Sequence, residues 1–308
     1  MGFTYGDPAS IGPEILTKAL KSWKYKSTPY IIGAKDYFKK NETLFHTLDG
    51  LNFNFKAGHP SKASGEHSFK CLKEAAKLGL NKRISALITG PVSKEMISKT
   101  TKEFYGQTDA LGKLCKISPN KLIMLFTAKD MRLALFTRHI ALKNVKLKLT
   151  QKGLENFLII LNNELKKWFK IKTPKIAILG LNPHASENGL FGNEEQKIII
   201  PVITKLKRRG LKLFGPLSPD ATLAKAGQDF LLKRKQMFDA YVSMYHDQGL
   251  PMFKAVAGLS GVNVTLGLPF LRVSVDHGTA FDIAGKNKAS EKGLISAIEL
   301  AEKLTCFP

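Results

Sequence analysis

At 308 residues with 44% hydrophobic side chains, the chain can bury one large core or two of ordinary size. No run approaches the roughly 18 consecutive apolar residues of a membrane span. Met1-Gly2-Phe3-Thr4-Tyr5 lacks the basic and apolar stretches of a signal peptide, so a cytoplasmic protein with no membrane partner is expected. The formal charge of +23 attracts nucleic acid, acidic membranes and anionic metabolites alike. The lysines are scattered over presumed helical faces, as in Lys205-Leu206-Lys207-Arg208-Arg209, without interleaved aromatics or a nucleic-acid module. A solvated basic surface is therefore expected, and no nucleic-acid partner. Cys71, Cys115 and Cys306 show no paired short spacing, which points to reduced packing residues and against a disulfide framework or a thiolate zinc site.

In chain order, short apolar runs predict buried strands at Tyr30 to Gly33, Ala86 to Thr89, Leu122 to Phe126, Leu133 to Thr137, Ile176 to Gly180 and Ala240 to Met244. Between and after them, Glu155 to Phe169, Glu194 to Arg208 and Ser290 to Leu304 place apolar residues at three- and four-residue spacing, as amphipathic helices do. The alternation predicts an α/β architecture with buried strands. Several strands end directly in polar clusters: Thr89-Gly90-Pro91, Leu181-Asn182-Pro183-His184, Tyr245-His246-Asp247-Gln248-Gly249 and Val275-Asp276-His277-Gly278-Thr279. Ligands of open α/β sheets bind beyond the carboxyl ends of strands, so a site is expected there.

Of the histidines, His46, His59 and His67 lie in polar or helical contexts and read as surface residues. His139, His184 and His246 each follow a strand-like run. Three neutral imidazoles can hold a divalent ion with positions left open, but their spacing matches no local metal motif, and independent structural roles stay open. Gly6-Asp7-Pro8-Ala9-Ser10-Ile11-Gly12-Pro13-Glu14 reads equally as an anion-facing helix start and as a strand-to-helix turn. With no G-x-G-x-x-G and no P-loop, any nucleotide must be held outside a Rossmann turn. The small and polar segment from Asp276 to Lys286 suits a loop wrapped around a nucleotide, or a glycine turn.

Taken together, G-D-P-A-S-I-G-P-E from Gly6, T-G-P-V-S-K from Thr89, L-N-P-H-A from Leu181, G-P-L-S-P-D from Gly215, Y-H-D-Q-G-L-P from Tyr245, G-V-N-V-T-L-G-L-P-F-L-R from Gly261 and V-D-H-G-T-A from Val275 resemble, in order, the 4-hydroxythreonine-4-phosphate dehydrogenases. The loop from Asp276 is also similar to the nucleotide loop of isopropylmalate and isocitrate dehydrogenases. The resemblance implies two α/β/α domains around an interdomain cleft, an isopropylmalate dehydrogenase-like fold. We draw the domains at 1–105 plus 270–308 on the nucleotide side and 106–269 for metal, substrate and dimer contacts. It further implies a homodimer with a metal site shared at the subunit interface. His139, His184 and His246 would ligate zinc, magnesium or cobalt; Gln107, Thr108, Lys254, Asn263 and Arg272 would contact a small phosphorylated amino acid. Asp276, His277, Gly278 and Thr279 would meet NAD or NADP, and Asp247 and Lys254 would serve the chemistry, Asp247 as a base or as a group orienting a ligand.

Three departures from the family pattern carry expectations. Gln107 stands where the family has histidine, and can hydrogen bond but not become cationic. Ser10 and Ser186 replace glycines, which strains the backbone wherever φ must be positive. Only five residues precede Gly6, so a short first strand and lower stability are expected. Rival readings are a dehydrogenase of D-threonate or D-erythronate 4-phosphate and an inactive relative that binds metabolite or nucleic acid.

Overall fold

The apolar runs do fold as strands, and the segments between them as helices. The structure, a computed structural model, describes residues 1–24, 27–34, 44–46, 48, 54–101 and 104–305. In chain order the elements are β1 (Gly2–Thr4), α1 (Gly12–Ser22), β2 (Tyr30–Ile32), β3 (Leu44–His46), α2 (Lys62–Leu80), β4 (Ala86–Thr89), α3 (Lys94–Ser98) and α4 (Gln107–Leu114). There follow β5 (Ile123–Ala128), β6 (Met131–Leu135), α5 (Val145–Lys148), α6 (Gln151–Phe169) and β7 (Lys175–Leu179). Next come α7 (Ile200–Arg208), β8 (Lys212–Leu217), α8 (Pro219–Leu231), β9 (Ala240–Ser243) and α9 (His246–Ala257), then β10 (Val262–Leu266), β11 (Leu271–Val275) and α10 (Lys292–Thr305).

Two compact units form, Met1–Leu122 with Val262–Pro308, and Ile123–Gly261. These bounds differ from the expected divisions at 105/106 and 269/270. Residues 106–122 belong to the first unit because Leu111, Cys115 and Leu122 share a core with Leu72 and Ile97, and Val262 to Leu266 belong to it because β10 pairs with β11. Gln107, Thr108 and Asn263 are thereby first-unit residues.

In the first unit the strand order is β3-β2-β1-β4-β11-β10. All neighbours are parallel except β10 on β11. Although β1 has three residues, it pairs on both sides, with β2 and β4. In the second unit the order is β5-β6-β9-β7-β8, antiparallel only between β5 and β6. Parallel central strands are covered on both faces, and β4, β7 and β9 are accordingly apolar runs with almost no exposed residue. Parallel neighbours also bring their carboxyl ends to one edge. Loops after β1, β4 and β11 therefore share an edge of the first unit, and those after β6, β9 and β7 an edge of the second.

Helix ends follow local chemistry. Ser61 and Ser64 form a reciprocal capping box on α2, and the Thr150 hydroxyl caps α6 by accepting from Gly153 N–H. The predicted helix at Glu194 to Arg208 is a π-helical turn, Glu195–Ile199, continued by α7.

His67 corrects one expectation. His59 is exposed, as expected, but His67 is only 2% exposed. It sits on the inner face of α2 with Ser64, Ser68 and Cys71, and its Nε2 shares a hydrogen bond with the Tyr5 hydroxyl, which accepts from Ala34 N–H at 3.0 Å. Polar residues on that face disguised it as a solvent face. Burial, aided by Lys70, pushes the imidazole down from 6.5 to about 4. The unfolded chain thus binds the proton more readily, so stability contributed by neutral His67 is complete above about pH 6.5 and is lost as pH falls toward 4. This amounts to about 3 kcal/mol. Asp7, raised by burial, titrates with the opposite sign, so the variant is the readout. The thermal midpoint of His67→Asn should fall less between pH 6.5 and 4 than that of the parent; parallel curves would remove His67 from the acid response.

Cys71 and Cys115 are buried and unpaired with one another, and burial raises both thiols, Cys71 to about 12. Cys306 and the side chain of His46 lie outside the described residues. No described helix is long and apolar enough to cross a membrane.

Candidate active site

In the second unit the three histidines predicted as ligands leave the carboxyl edge of adjacent parallel strands: His139 after β6, His246 after β9 and His184 after β7. His139 and His246 face each other with ring centroids 5.7 Å apart. Together with Arg138, Tyr245 and Asp247 they line a cavity of about 130 Å³. His184 lines a larger one of about 640 Å³ with Asn182, Asp220, Tyr245, Asp247 and Gln248, and its Nδ1 lies 3.9 Å from an Asp220 oxygen. Among the described residues no three His, Cys, Asp or Glu side chains converge on one point. The single chain thus joins two of the three imidazoles and leaves the third beside Asp220.

Asp247 is 3.4 Å from Nδ1 of His246 and borders both cavities, so one carboxylate can accept from an imidazole or from a ligand in either space. Lys254 is exposed two turns further along α9. Asp220 and Tyr245 were not singled out in the sequence, although both stand inside quoted motifs. The hydroxyl of Ser218 and the N–H of Ala221 hold the Asp220 carboxyl below its usual range.

His139 and His184 both adopt left-handed backbone, at φ 49° and 50°. The conformation continues through Ala185, Ser186, Glu187 and Asn188. For residues with a Cβ this costs on the order of 1–2 kcal/mol each, strain that surrounding structure must hold in place.

The first unit carries a different kind of site. Arg272, 2% exposed, lies opposite Thr265 across the β10–β11 pair. Its guanidinium donates to Thr265 Oγ1 at 3.1 Å and to Thr89 Oγ1 at 2.7 Å, while Nε has no partner. Among the described residues it meets hydroxyls and no carboxylate, and burial pushes its pKa down to about 9. A buried cation without a counter-ion is costly, and it is satisfied when an anion arrives. The Thr108 hydroxyl meets Thr265 at 3.1 Å. Gln107 Nε2 donates to Gly90 O at 3.0 Å, leaving Oε1 buried without a donor, as is Oδ1 of Asn263. Asn263 lies two residues from Thr265 on β10, on the same sheet face as Arg272. Thus Gln107, Thr108, Asn263 and Arg272 form one polar cluster offering two orphan acceptors and an orphan cationic donor. Thr89 and Thr265, which aim the guanidinium, were invisible in sequence because threonine is an ordinary strand residue.

Beside this cluster, the loops around Gly6, Gly58 and Asp276 knit together. Ile11 N–H donates to Thr279 O at 3.1 Å and Gly58 N–H to Ala9 O at 2.8 Å. Glu14 accepts from the N–H groups of Gly285 and Ala289, and Lys18 donates to the carbonyls of Asn287 and Ala289. At Gly285, φ is 74° and an added Cβ would lie 2.6 Å from that of Ala57, so only glycine fits. Asp276, His277 and Thr279 are half-buried and Gly278 is exposed. His277 Nδ1 lies 3.1 Å from Gly278 O, and its buried Nε2 has no partner, a polar group left for a ligand.

Comparison with known proteins adds the decisive observation: residues 6–301 match the model of the family described as pyridoxal phosphate biosynthetic protein PdxA. The chain belongs to the PdxA family. A 4-hydroxythreonine-4-phosphate dehydrogenase of Sulfurihydrogenibium sp. (strain YO3AOP1) is 38% identical, over 98% of this chain and 97% of that protein. A D-threonate 4-phosphate dehydrogenase of Salmonella typhimurium is 34% identical, over 99% and 98%. A crystal structure of the Klebsiella pneumoniae 4-hydroxythreonine-4-phosphate dehydrogenase superposes with a TM-score of 0.84 at 30% identity, covering 99% of this chain and 98% of its own. The chain is accordingly a dehydrogenase, with the α/β fold of that family.

Against the PdxA pattern, the two serine substitutions behave differently. Ser10 avoids positive φ; its hydroxyl donates to Asp7 O at 2.6 Å and accepts from Gly12 N–H at 2.9 Å, so it adds a turn bond without strain. Ser186 does sit at φ 71°, and its hydroxyl bonds the Gly192 carbonyl, which offsets part of the cost.

Proposed function

We propose that the chain oxidises the secondary alcohol of 4-phosphooxy-L-threonine, with NAD or NADP and a divalent metal ion. The product, 2-amino-3-oxo-4-phosphooxybutanoate, is a β-keto acid, which decarboxylates to 3-amino-2-oxopropyl phosphate within pyridoxal 5'-phosphate synthesis. The observation carrying this reading is Arg272, a buried guanidinium with hydroxyl partners only, in a member of this family. Arg272 and Lys254 supply fixed positive charge for the anionic groups of the substrate. Gln107, Thr108 and Asn263 offer the neutral hydrogen bonds that orient it. Asp276, His277, Gly278 and Thr279 would border the nucleotide, whose nicotinamide would supply the hydride acceptor. His139, His184 and His246 are a donor set suited to zinc or cobalt, whereas magnesium, the third candidate, prefers oxygen donors. When bound, the ion supplies Lewis acidity that eases removal of the alcohol proton. Asp247, beside His246, takes that proton or orients the imidazole.

A cytoplasmic homodimer with a shared metal site, the third imidazole supplied by a second copy, is the reading supported by the closeness of His139 to His246 and by His184 lying beside Asp220. A second reading, oxidation of D-threonate or D-erythronate 4-phosphate, is favoured by one observation: neutral Gln107 presents a buried acceptor where the family has a histidine. The test is NAD(P)H formation from each substrate after chelation and after adding zinc, cobalt or magnesium. Metal-restored turnover of 4-phosphooxy-L-threonine over the sugar acids supports the first reading. The reverse preference establishes the second, and turnover indifferent to chelation removes the metal from both.

A further inference from the structure

One buried carboxylate plays no part in the reaction outlined above. Glu195, 1% exposed, opens the π-helical turn Glu195–Ile199. Its Oε1 accepts from the N–H groups of Leu181 at 2.7 Å and Asn182 at 2.8 Å, and its Oε2 accepts from the Asn182 side-chain amide at 2.9 Å. Among the described residues its partners are thus neutral donors, so the carboxylate is held by oriented dipoles. The neighbouring Glu194 accepts from the same Asn182 amide at 2.9 Å and pairs with Lys146 at 2.8 Å. Two glycines give these carboxylates room. A Cβ on Gly180 would lie 2.7 Å from Ala185 Cα and 3.1 Å from Glu195 Oε1, and one on Gly192 would lie 2.6 Å from Glu194 Oε2.

The hydrogen-bond partners of the Glu195 carboxylate, Leu181 and Asn182, lie between β7 and His184. The two backbone donors it fixes come directly before Pro183 and the left-handed run that begins at His184. The far end of that run is tied down as well, by Gln196 Nε2 donating to Asn188 O at 2.5 Å and Leu190 N–H donating to Ser186 O at 2.8 Å. Five consecutive residues in left-handed backbone persist only where their surroundings over-determine them, and π-turns recur where a helix must aim a side chain at a functional site. We propose that Glu195 is a positioning residue for His184: its carboxylate anchors the strand-to-turn junction, so that the imidazole is presented in one fixed orientation to a divalent cation. The proposal rests on the reading of His184 as a metal ligand.

The test uses Co²⁺ alone as the probe, titrated into the metal-free homodimer. Affinity and the visible d–d spectrum are recorded for the parent, Glu195→Gln, His184→Ala and Val202→Ala. The glutamine keeps the shape of Glu195 but sets an amide donor against the amide of Asn182. Val202, buried on α7, controls for destabilisation alone. Glu195→Gln should bind Co²⁺ about 10–100-fold more weakly with an altered spectrum, and Val202→Ala should retain parental affinity and spectrum even where its melting temperature is as low. Parental affinity and spectrum in Glu195→Gln, with His184→Ala weakened, overturn the positioning role and leave the ligand reading standing. Unchanged binding in His184→Ala overturns the ligand reading and the proposal with it. If Glu195→Gln does not fold, Glu195→Asp, which withdraws the carboxylate by one methylene, is judged by the same two outcomes.

Discussion

Arg272→Met is expected to melt at the parental temperature or above while losing at least about 30-fold in kcat/KM for 4-phosphooxy-L-threonine. The two effects have one cause. Arg272 is 2% exposed and bonded only to the hydroxyls of Thr265 and Thr89, so the unliganded fold bears the desolvation of a cation with no counter-ion. Burial pushes its pKa down to about 9, the direction expected when the charged form is the disfavoured one. Methionine has similar length and no charge to desolvate, and Thr265 keeps its contact with Thr108. What disappears is the fixed charge that an anionic ligand would neutralise, and removing one partner of a buried charge pair typically costs about 2–5 kcal/mol. Thermal melts and steady-state kinetics on the same preparation decide the matter. A large fall in melting temperature would make Arg272 a structural cation, and unchanged kcat/KM would place the anion site elsewhere.

Mixed dimers of His139→Ala and His184→Ala chains are expected to recover metal-dependent turnover that neither variant shows alone. In the single chain His139 and His246 are neighbours, 5.7 Å between ring centroids, while His184 stands beside Asp220. A site built from His139 and His246 of one chain and His184 of the other is intact once in each mixed dimer and doubly damaged in its other copy. About half the parental activity per mixed dimer should therefore return, against a loss of at least about 100-fold in each pure variant, since removing a ligand removes the ion's contribution to the barrier. Co-expression with two different affinity tags isolates the mixed species. Mixed dimers as inactive as the parents would confine the three imidazoles to one chain and overturn the shared site. Variants that remain active alone would remove these histidines from the metal.

The sequence by itself determined the fold class, the strands β2, β4, β6, β7 and β9 of the two parallel centres, and the family. Each of these is written locally: buried parallel strands are apolar runs, and ligand loops are glycine- and proline-rich segments at their carboxyl ends, so Ala86 to Thr89 and Tyr245 to Gly249 could be read without partners. Only the tertiary structure decided the rest, because it depends on contacts between distant segments. His67 reads as a surface residue until Tyr5, sixty-two positions away, is packed against it. The resemblance marks Arg272 as a substrate contact, but its burial without a counter-ion follows only once β4 and β10 flank β11 and close Thr89 and Thr265 around it. Glu195 belongs to an amphipathic repeat until a π-turn rotates its carboxylate onto Leu181 and Asn182. Hydrophobic periodicity records which face of an element leaves water, whereas a buried polar group is specified by the partner that satisfies it, and that partner is set by the fold.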